Sequence, residues 1–240
     1  ADVLTQLEKL LETATAAVIL EPLVQGAGGM SMVRPEFIKK VEDKVKEAGA
    51  LLITDEVLTG FGRCGDFFAF QRAGIQPDLL ALSKGLTGGF LPMGVTMASE
   101  RIFSAFVGEE PQLTLWHGHS FTGNPLGCAA ANASLDLLQS NPAKHERFEL
   151  RHLPFLQELK GHPRVEKIRV HGTIAAFDIK VEGPTGYLNT AGQQLKKSTL
   201  KRGVFLRPLG NVVYLLPPLC INDEQLEQCY VAIKNGLDEL

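Results

Sequence analysis

The sequence predicts an α/β protein: a mostly parallel sheet with helices in the first part of the chain, followed by a smaller α+β unit. Three observations carry this. Continuous apolar runs at residues 16–21, 50–55 and 78–83 have the length and uniformity of strands buried on both faces, as parallel strands are. A helical spacing of apolar residues lies between the first two. After about Asn141 the texture turns to helices, isolated strands and Gly/Pro connections, which suits a separate α+β unit.

The elements follow in order. Residues 1–12 alternate charge and leucine like a surface helix and lack the features of a secretory leader. The run 16–21 ends in Glu21-Pro22 and a glycine-rich turn at 26–29, a strand running out into a loop. Residues 35–48 place Phe37, Ile38, Val41, Val45 and Ala48 at helical spacing, with Pro35 in the first turn and Gly49 as the stop. The runs 50–55 and 78–83 end in Asp55 and just before Lys84. Residues 91–99 form a further strand, and 124–138 a helix whose face of Ala129, Ala130, Ala131 and Ala133 should pack closely. Beyond it are expected a charged helix at 144–160, a strand at 173–181, a Gly/Pro linker and a helix at 190–202. A strand pair near Val204 and Val213 and a closing amphipathic helix from Asn222 complete the pattern.

Composition narrows the function. The 240 residues are 45% apolar and 21% charged, a globular mix able to bury a core. With 24 basic and 27 acidic residues the net charge is −3, which points to neither nucleic acid nor an anionic membrane. Cys64, Cys128, Cys220 and Cys229 are far apart, without the spacing of a zinc knuckle or redox dithiol, so a reducing cytoplasm is the expected compartment. The longest apolar runs fall far short of the roughly 20 residues that a membrane span needs.

In parallel sheets ligands bind beyond the carboxyl ends of the strands, so Glu21, Asp55 and Lys84 are expected along one rim. Ser83-Lys84-Gly85, followed by Gly88 and Gly89, admits two readings. One is an amine whose pKa is lowered by burial and nearby cations, so that it condenses with an aldehyde. The other is a lysine snorkelling out of a turn. Asp55-Glu56 is also ambiguous. It resembles the magnesium-holding strand of a phosphate-loop ATPase, yet no Gly-x-x-x-x-Gly-Lys-[Ser/Thr] occurs in the sequence; Asp55 could otherwise cap a helix or keep a pyridine nitrogen protonated. His117 through Pro125 lead straight into the alanine-rich helix, and a hydroxyl, backbone amides and a helix N-terminus together suit a phosphate. No carboxylate or cysteine at ligand spacing joins His117 and His119 to make a metal site.

Glu21-Pro22, Gln25 to Met30, Asp55 to Arg63, Pro77-Asp78, Ser83 to Gly89 and His117 to Pro125, in this order, resemble the successive blocks of the class III pyridoxal-phosphate-dependent aminotransferases. The resemblance runs over essentially the whole chain. It implies a fold type I transferase represented by the C-terminal part of the large cofactor-binding domain (1–140) and the small C-terminal domain (141–240). It further implies pyridoxal 5'-phosphate as cofactor, with Lys84 bound to its aldehyde, Asp55 paired with the pyridinium nitrogen and Val57 packed on the ring. His119 and Ser120 would hold the cofactor phosphate across a subunit interface, so a homodimer with shared active sites is expected. Serine stands where threonine is common and keeps the hydroxyl. Arg207 would grip a substrate carboxylate bidentately, with Tyr214 and Gly118 in the same pocket; read without the resemblance, Arg207 is equally a surface ion pair.

Within the class, residues 207–218 are most similar to members that move an amine from S-adenosylmethionine, or in some relatives lysine, to 8-amino-7-oxononanoate in biotin biosynthesis. The alternatives are a class III enzyme acting on an ω-amine such as ornithine or 4-aminobutyrate, and a catalytically inert fragment or interaction remnant. In the family the stretch ahead of Glu21-Pro22 is long and carries a glycine-rich phosphate turn, an aromatic residue stacked on the cofactor ring and part of the substrate pocket. Here one helix precedes that block, so an incomplete enzyme is expected, or one to which a partner chain supplies the missing part.

Overall fold

The computed structural model describes residues 2–140 and 147–240. In chain order, α1 (Val3–Leu11) leads to β1 (Ala17–Leu20), the short hairpin of β2 (Val24–Gln25) and β3 (Ser31–Met32), α2 (Pro35–Glu47) and β4 (Leu51–Asp55). Then come α3 (Ala69–Ala73), β5 (Leu79–Leu82), β6 (Val95–Ala98), α4 (Glu100–Phe103) and α5 (Pro125–Ser140). The later elements are α6 (Phe148–Leu159), β7 (Val165–His171), β8 (Ile174–Ile179), α7 (Ala191–Leu200), β9 (Val212–Leu215) and α8 (Asp223–Asp238). The chain sorts into two compact units. The first takes the chain up to Leu23, Val33–Phe61 and the stretch from Asp66 through α5; the second takes Val24–Met32, Gly62–Gly65 and the described chain from Arg147 onward.

The first unit is built on a sheet in the order β1-β4-β5-β6. β1, β4 and β5 run parallel and β6 antiparallel at the edge. α2 forms where the sequence predicts it: Ile38, Val41 and Val45 share the buried face, Pro35 opens the helix and Gly49 follows it at φ 71°, a left-handed position glycine takes without strain. Glu42 is buried on the same helix, and its carboxylate is met by Lys39, Lys46 and the Gln76 amide, which offsets its desolvation. The alanine face expected on α5 is only partly realised. Gly127 and Ala131, four residues apart on one helix face, are buried, while Ala129 and Ala133 are exposed.

The second unit carries the antiparallel sheet β7-β8-β9, its core formed by Phe148, Phe177, Ile179, Leu195, Ile233 and Leu237 with their neighbours. β8 is buried at every position, a closed apolar run like those of the parallel strands. The helix expected from residue 144 is described from Phe148; its first residues, Lys144 to Glu146, lie outside the described residues. Two corrections concern strands. Val204 and Leu206 are buried, but no strand forms there, and β9 pairs with β8 instead. β7 was not expected, because a bulge between Glu166 and Arg169 breaks its alternation. Among the described residues, no helix is long and apolar enough to cross a membrane.

Candidate active site

Parallel pairing fixes the rim. Asp55 is in register with Ala81, and Lys84 follows that residue after Leu82 and Ser83, so both chemical groups leave the sheet at the carboxyl ends of adjacent strands. Asp55 is half-buried and caps no helix; its Oδ1 accepts the Val57 amide at 3.0 Å, a local turn bond that orients the carboxylate. Glu56 has a different task. It is buried, and its carboxylate accepts the Ala69 amide at 2.8 Å, the Phe70 amide at 2.6 Å and the Thr59 hydroxyl at 3.1 Å. Burial pushes its carboxyl up from the ordinary range despite these bonds. Engaged with the first turn of α3, Glu56 is not placed as a magnesium ligand.

Lys84 opens a short 3₁₀ turn, Lys84–Thr87, with φ +45°, a left-handed conformation that is costly for a residue with a Cβ. The Ser83 hydroxyl donates to the Met93 carbonyl at 2.7 Å, and the Gly89 amide donates to the Lys84 carbonyl at 3.2 Å. The turn is therefore fixed from both sides in sequence. Its side chain is not. Lys84 is exposed, contrary to the dry setting expected for it, because its chain neighbours Gly88, Gly89 and Phe90 are themselves exposed and raise no apolar wall over it.

The turn before α5 is ordered by its own side chains. The His119 amide donates to Thr122 Oγ1 at 2.9 Å, the Phe121 amide to His119 Nδ1 at 3.1 Å, and Asn124 caps α5 by accepting the Gly127 amide at 2.7 Å. Residues 117–121 are exposed. The amides of His119 and Phe121 are spent inside the turn, and Ser120 stands exposed between them. Sequence reasoning missed Thr122 and Asn124, although an Asn one residue ahead of a Pro-led helix is a legible cap signal.

Arg207 and Tyr214 belong to the second unit, whereas Lys84, Asp55, Val57, Gly118, His119 and Ser120 belong to the first. Arg207 is exposed and Tyr214 half-buried. Burial pushes the Tyr214 phenol up, and the Arg207 guanidinium draws it back. Arg63, at the end of the Asp55 block, was not singled out. Its Nη1 donates to Thr173 Oγ1 at 2.8 Å and to the Pro217 carbonyl at 2.6 Å, and burial lowers its pKa. A cavity of about 560 Å³ in the second unit, lined in part by Gly29, Lys167, Arg169, Asp178 and Tyr187, contains none of the expected site residues. Its charges are satisfied by one another: Asp178 pairs with Arg169 at 2.8 Å and Lys167 at 3.3 Å.

Comparison with known proteins gives the chain its relatives. The family model "Aminotransferase class-III" matches residues 1–237. The adenosylmethionine-8-amino-7-oxononanoate aminotransferase of Synechococcus elongatus is 55% identical over 225 residues, covering 94% of this chain and 53% of its own length. A solved structure of the adenosylmethionine-8-amino-7-oxononanoate aminotransferase from Methanocaldococcus jannaschii superposes with a TM-score of 0.91 at 31% identity, covering 100% of this chain and 58% of that one. An amine transaminase from an uncultivated Pseudomonas species, solved in its PLP-bound form, superposes with a TM-score of 0.86 at 28% identity over 98% of this chain and 56% of that one. The chain thus spans about half the length of the relatives it matches.

Proposed function

Because this chain belongs to the class III aminotransferase family, we propose that it contributes the lysine-bearing half of an enzyme that transfers an amino group from S-adenosylmethionine to 8-amino-7-oxononanoate, giving 7,8-diaminononanoate for biotin. The observation that carries the reading is the 55% identity, over 94% of the chain, to a relative of that name. The residues present fit pyridoxal phosphate. A lysine and an oriented carboxylate leave adjacent parallel strands at one edge, and a capped helix presents an open hydroxyl before its N-terminus.

When bound, pyridoxal phosphate supplies an aldehyde for the amine and a protonated ring that draws off electrons. Lys84 Nζ would be the nucleophile that holds the cofactor and, when free, the base that moves a proton at the substrate carbon. Asp55 would keep the ring nitrogen protonated, the Val57 amide holding its carboxylate in one orientation, and Val57 would help to hold the cofactor. Ser120 would bind the phosphate across the subunit interface with hydroxyl and amide, beside His119. Arg207 would orient a substrate through its carboxylate, and Tyr214 and Gly118 are the further substrate-binding residues of the proposal. Homodimeric assembly and a cytoplasmic setting belong to the same proposal.

Purified protein loaded with pyridoxal phosphate and reduced with borohydride should carry the cofactor on Lys84 by peptide mass spectrometry, and Lys84→Ala should lose both the adduct and turnover. An adduct spread over other lysines would remove Lys84 from the role. The exposure of Lys84 and of residues 117–121 favours a second reading for the 240 residues by themselves: a chain that binds cofactor weakly and is inert. Cofactor titration of this chain alone, followed by absorbance, separates the two.

A further inference from the structure

The turn that carries Lys84 is held from α5. Ser134, half-buried on that helix, donates its hydroxyl to the Gly85 carbonyl at 3.1 Å, and a Cβ placed on Gly88 would meet the same hydroxyl at 3.6 Å. A second element closes on Gly85 itself: a Cβ there would lie 3.0 Å from both Cβ and Cδ2 of Phe61. Phe61 is buried, sits at φ +58°, and is fixed edge-on against Phe67 and Phe68 at centroid distances of 5.9 and 5.5 Å. The strained φ of +45° at Lys84 persists only where the surroundings over-determine it. Here those surroundings are the Ser83 and Gly89 bonds, the Phe61 ring and the Ser134 hydroxyl.

The same helix begins at the Ser120 turn, where Asn124 caps it through the Gly127 amide. Asn124 and Ser134 are separated by roughly 15 Å of helix axis at 1.5 Å per residue. A helix of this length is rigid on that scale, so the phosphate turn and the Lys84 peptide are attached to one body.

We infer that Ser134 is a positioning residue, which fixes the backbone of Lys84 through the Gly85 carbonyl from a helix whose N-terminal turn is the one proposed to serve a phosphate across the subunit interface. The inference rests on Lys84 carrying the cofactor, as proposed above. Leu86 and Thr87, buried beyond the turn, would keep the segment in place without Ser134; what the hydroxyl adds is the conformation at the lysine.

The experiment uses the cofactor-loaded holoenzyme. Ser134→Ala leaves Nζ intact, so borohydride should still fix the cofactor on Lys84. Its kcat is expected to fall about three- to tenfold, the equivalent of one lost neutral hydrogen bond, with KM for both substrates unchanged. The pH at which the visible absorbance of the lysine-bound cofactor titrates should move by about half a pH unit or more. Ser134→Thr, which keeps the hydroxyl, should return both values toward wild type. Wild-type kcat and midpoint in Ser134→Ala, with the cofactor still on Lys84, would overturn the inference and leave the Lys84 assignment standing. Cofactor fixed at other lysines in the wild-type enzyme would overturn that assignment and the inference with it. If Ser134→Ala does not fold, Ser134→Cys, nearly isosteric and a weaker donor, carries the same comparison.

Discussion

His152 accepts the Tyr230 hydroxyl at Nδ1, 2.7 Å away, and donates from Nε2 to the Thr173 carbonyl at 3.1 Å. A carbonyl has no proton to give, so this ring is the neutral Nε2–H tautomer. Burial lowers its pKa from 6.5 to about 4. The unfolded chain therefore binds a proton between those values that the folded chain does not, and stability falls as pH drops from about 6.5 to about 4, by about 3 kcal/mol at most. Urea midpoints measured across that range should slope for the wild type and less for His152→Gln; equal slopes would refute the assignment. Arg207→Lys keeps the charge but loses the planar fork, and carboxylate substrates should bind about 1.5–3 kcal/mol more weakly, read as a raised KM or Kd. Lys84 and Asp55 were legible as rim residues because charged groups ending apolar runs are rare and local. Glu56, Arg63 and His152 were not, since their partners at Phe70, Pro217 and Tyr230 lie far along the chain or across a loop.

β7 shows why some elements escape a reading by period. Lys167 sits at φ +49° within its bulge, and the extra residue sends Val165, Ile168 and Val170 out of a two-residue rhythm. Strands without a bulge, such as β1, β4, β5 and β8, were placed to within a residue or two, and α8 was found from Asn222, whose side chain accepts the Gln225 amide at 2.8 Å. Three glycines, Gly186, Gly192 and Gly210, meet at one close approach of the backbone. Gly210 lies at φ +62° with a Cβ direction blocked by the Gly186 carbonyl, and the Gly192 amide donates to the Gly210 carbonyl at 3.1 Å. Asn211, buried beside them, bonds the Gly186 amide at 2.9 Å and the Ile179 carbonyl at 3.2 Å. Gly210→Ala should cost about 2–4 kcal/mol through clash and strain and, by shifting the turn next to Arg207, also raise KM for the carboxylate substrate. A normal melting temperature in that variant would contradict the packing argument.

For the molecule as a whole, Phe90, Trp116, Phe121, Leu126 and Leu137 are between 73% and 88% exposed, all in one stretch of the first unit. Single exposed apolar residues are ordinary, and the homodimer proposed above is expected to cover these. The 240-residue chain alone is expected to bind a hydrophobic dye and to sediment faster than a monomer, and Leu126→Glu with Leu137→Glu should reduce both; an unaltered profile would show that this stretch is not the associating surface. Composition shifts once along the chain, near residue 141, whereas the folded chain alternates between its two units. The hairpin of β2 and β3 is gripped by Arg169, which donates to the Met30 and Gly29 carbonyls at 2.8 Å each, and the Thr173 amide donates to the Arg63 carbonyl at 2.9 Å. A gene cut at the apparent boundary would thus orphan two small inserts from the body they serve. Any chimera that trades C-terminal units between relatives must carry residues 24–32 and 62–65 along with them.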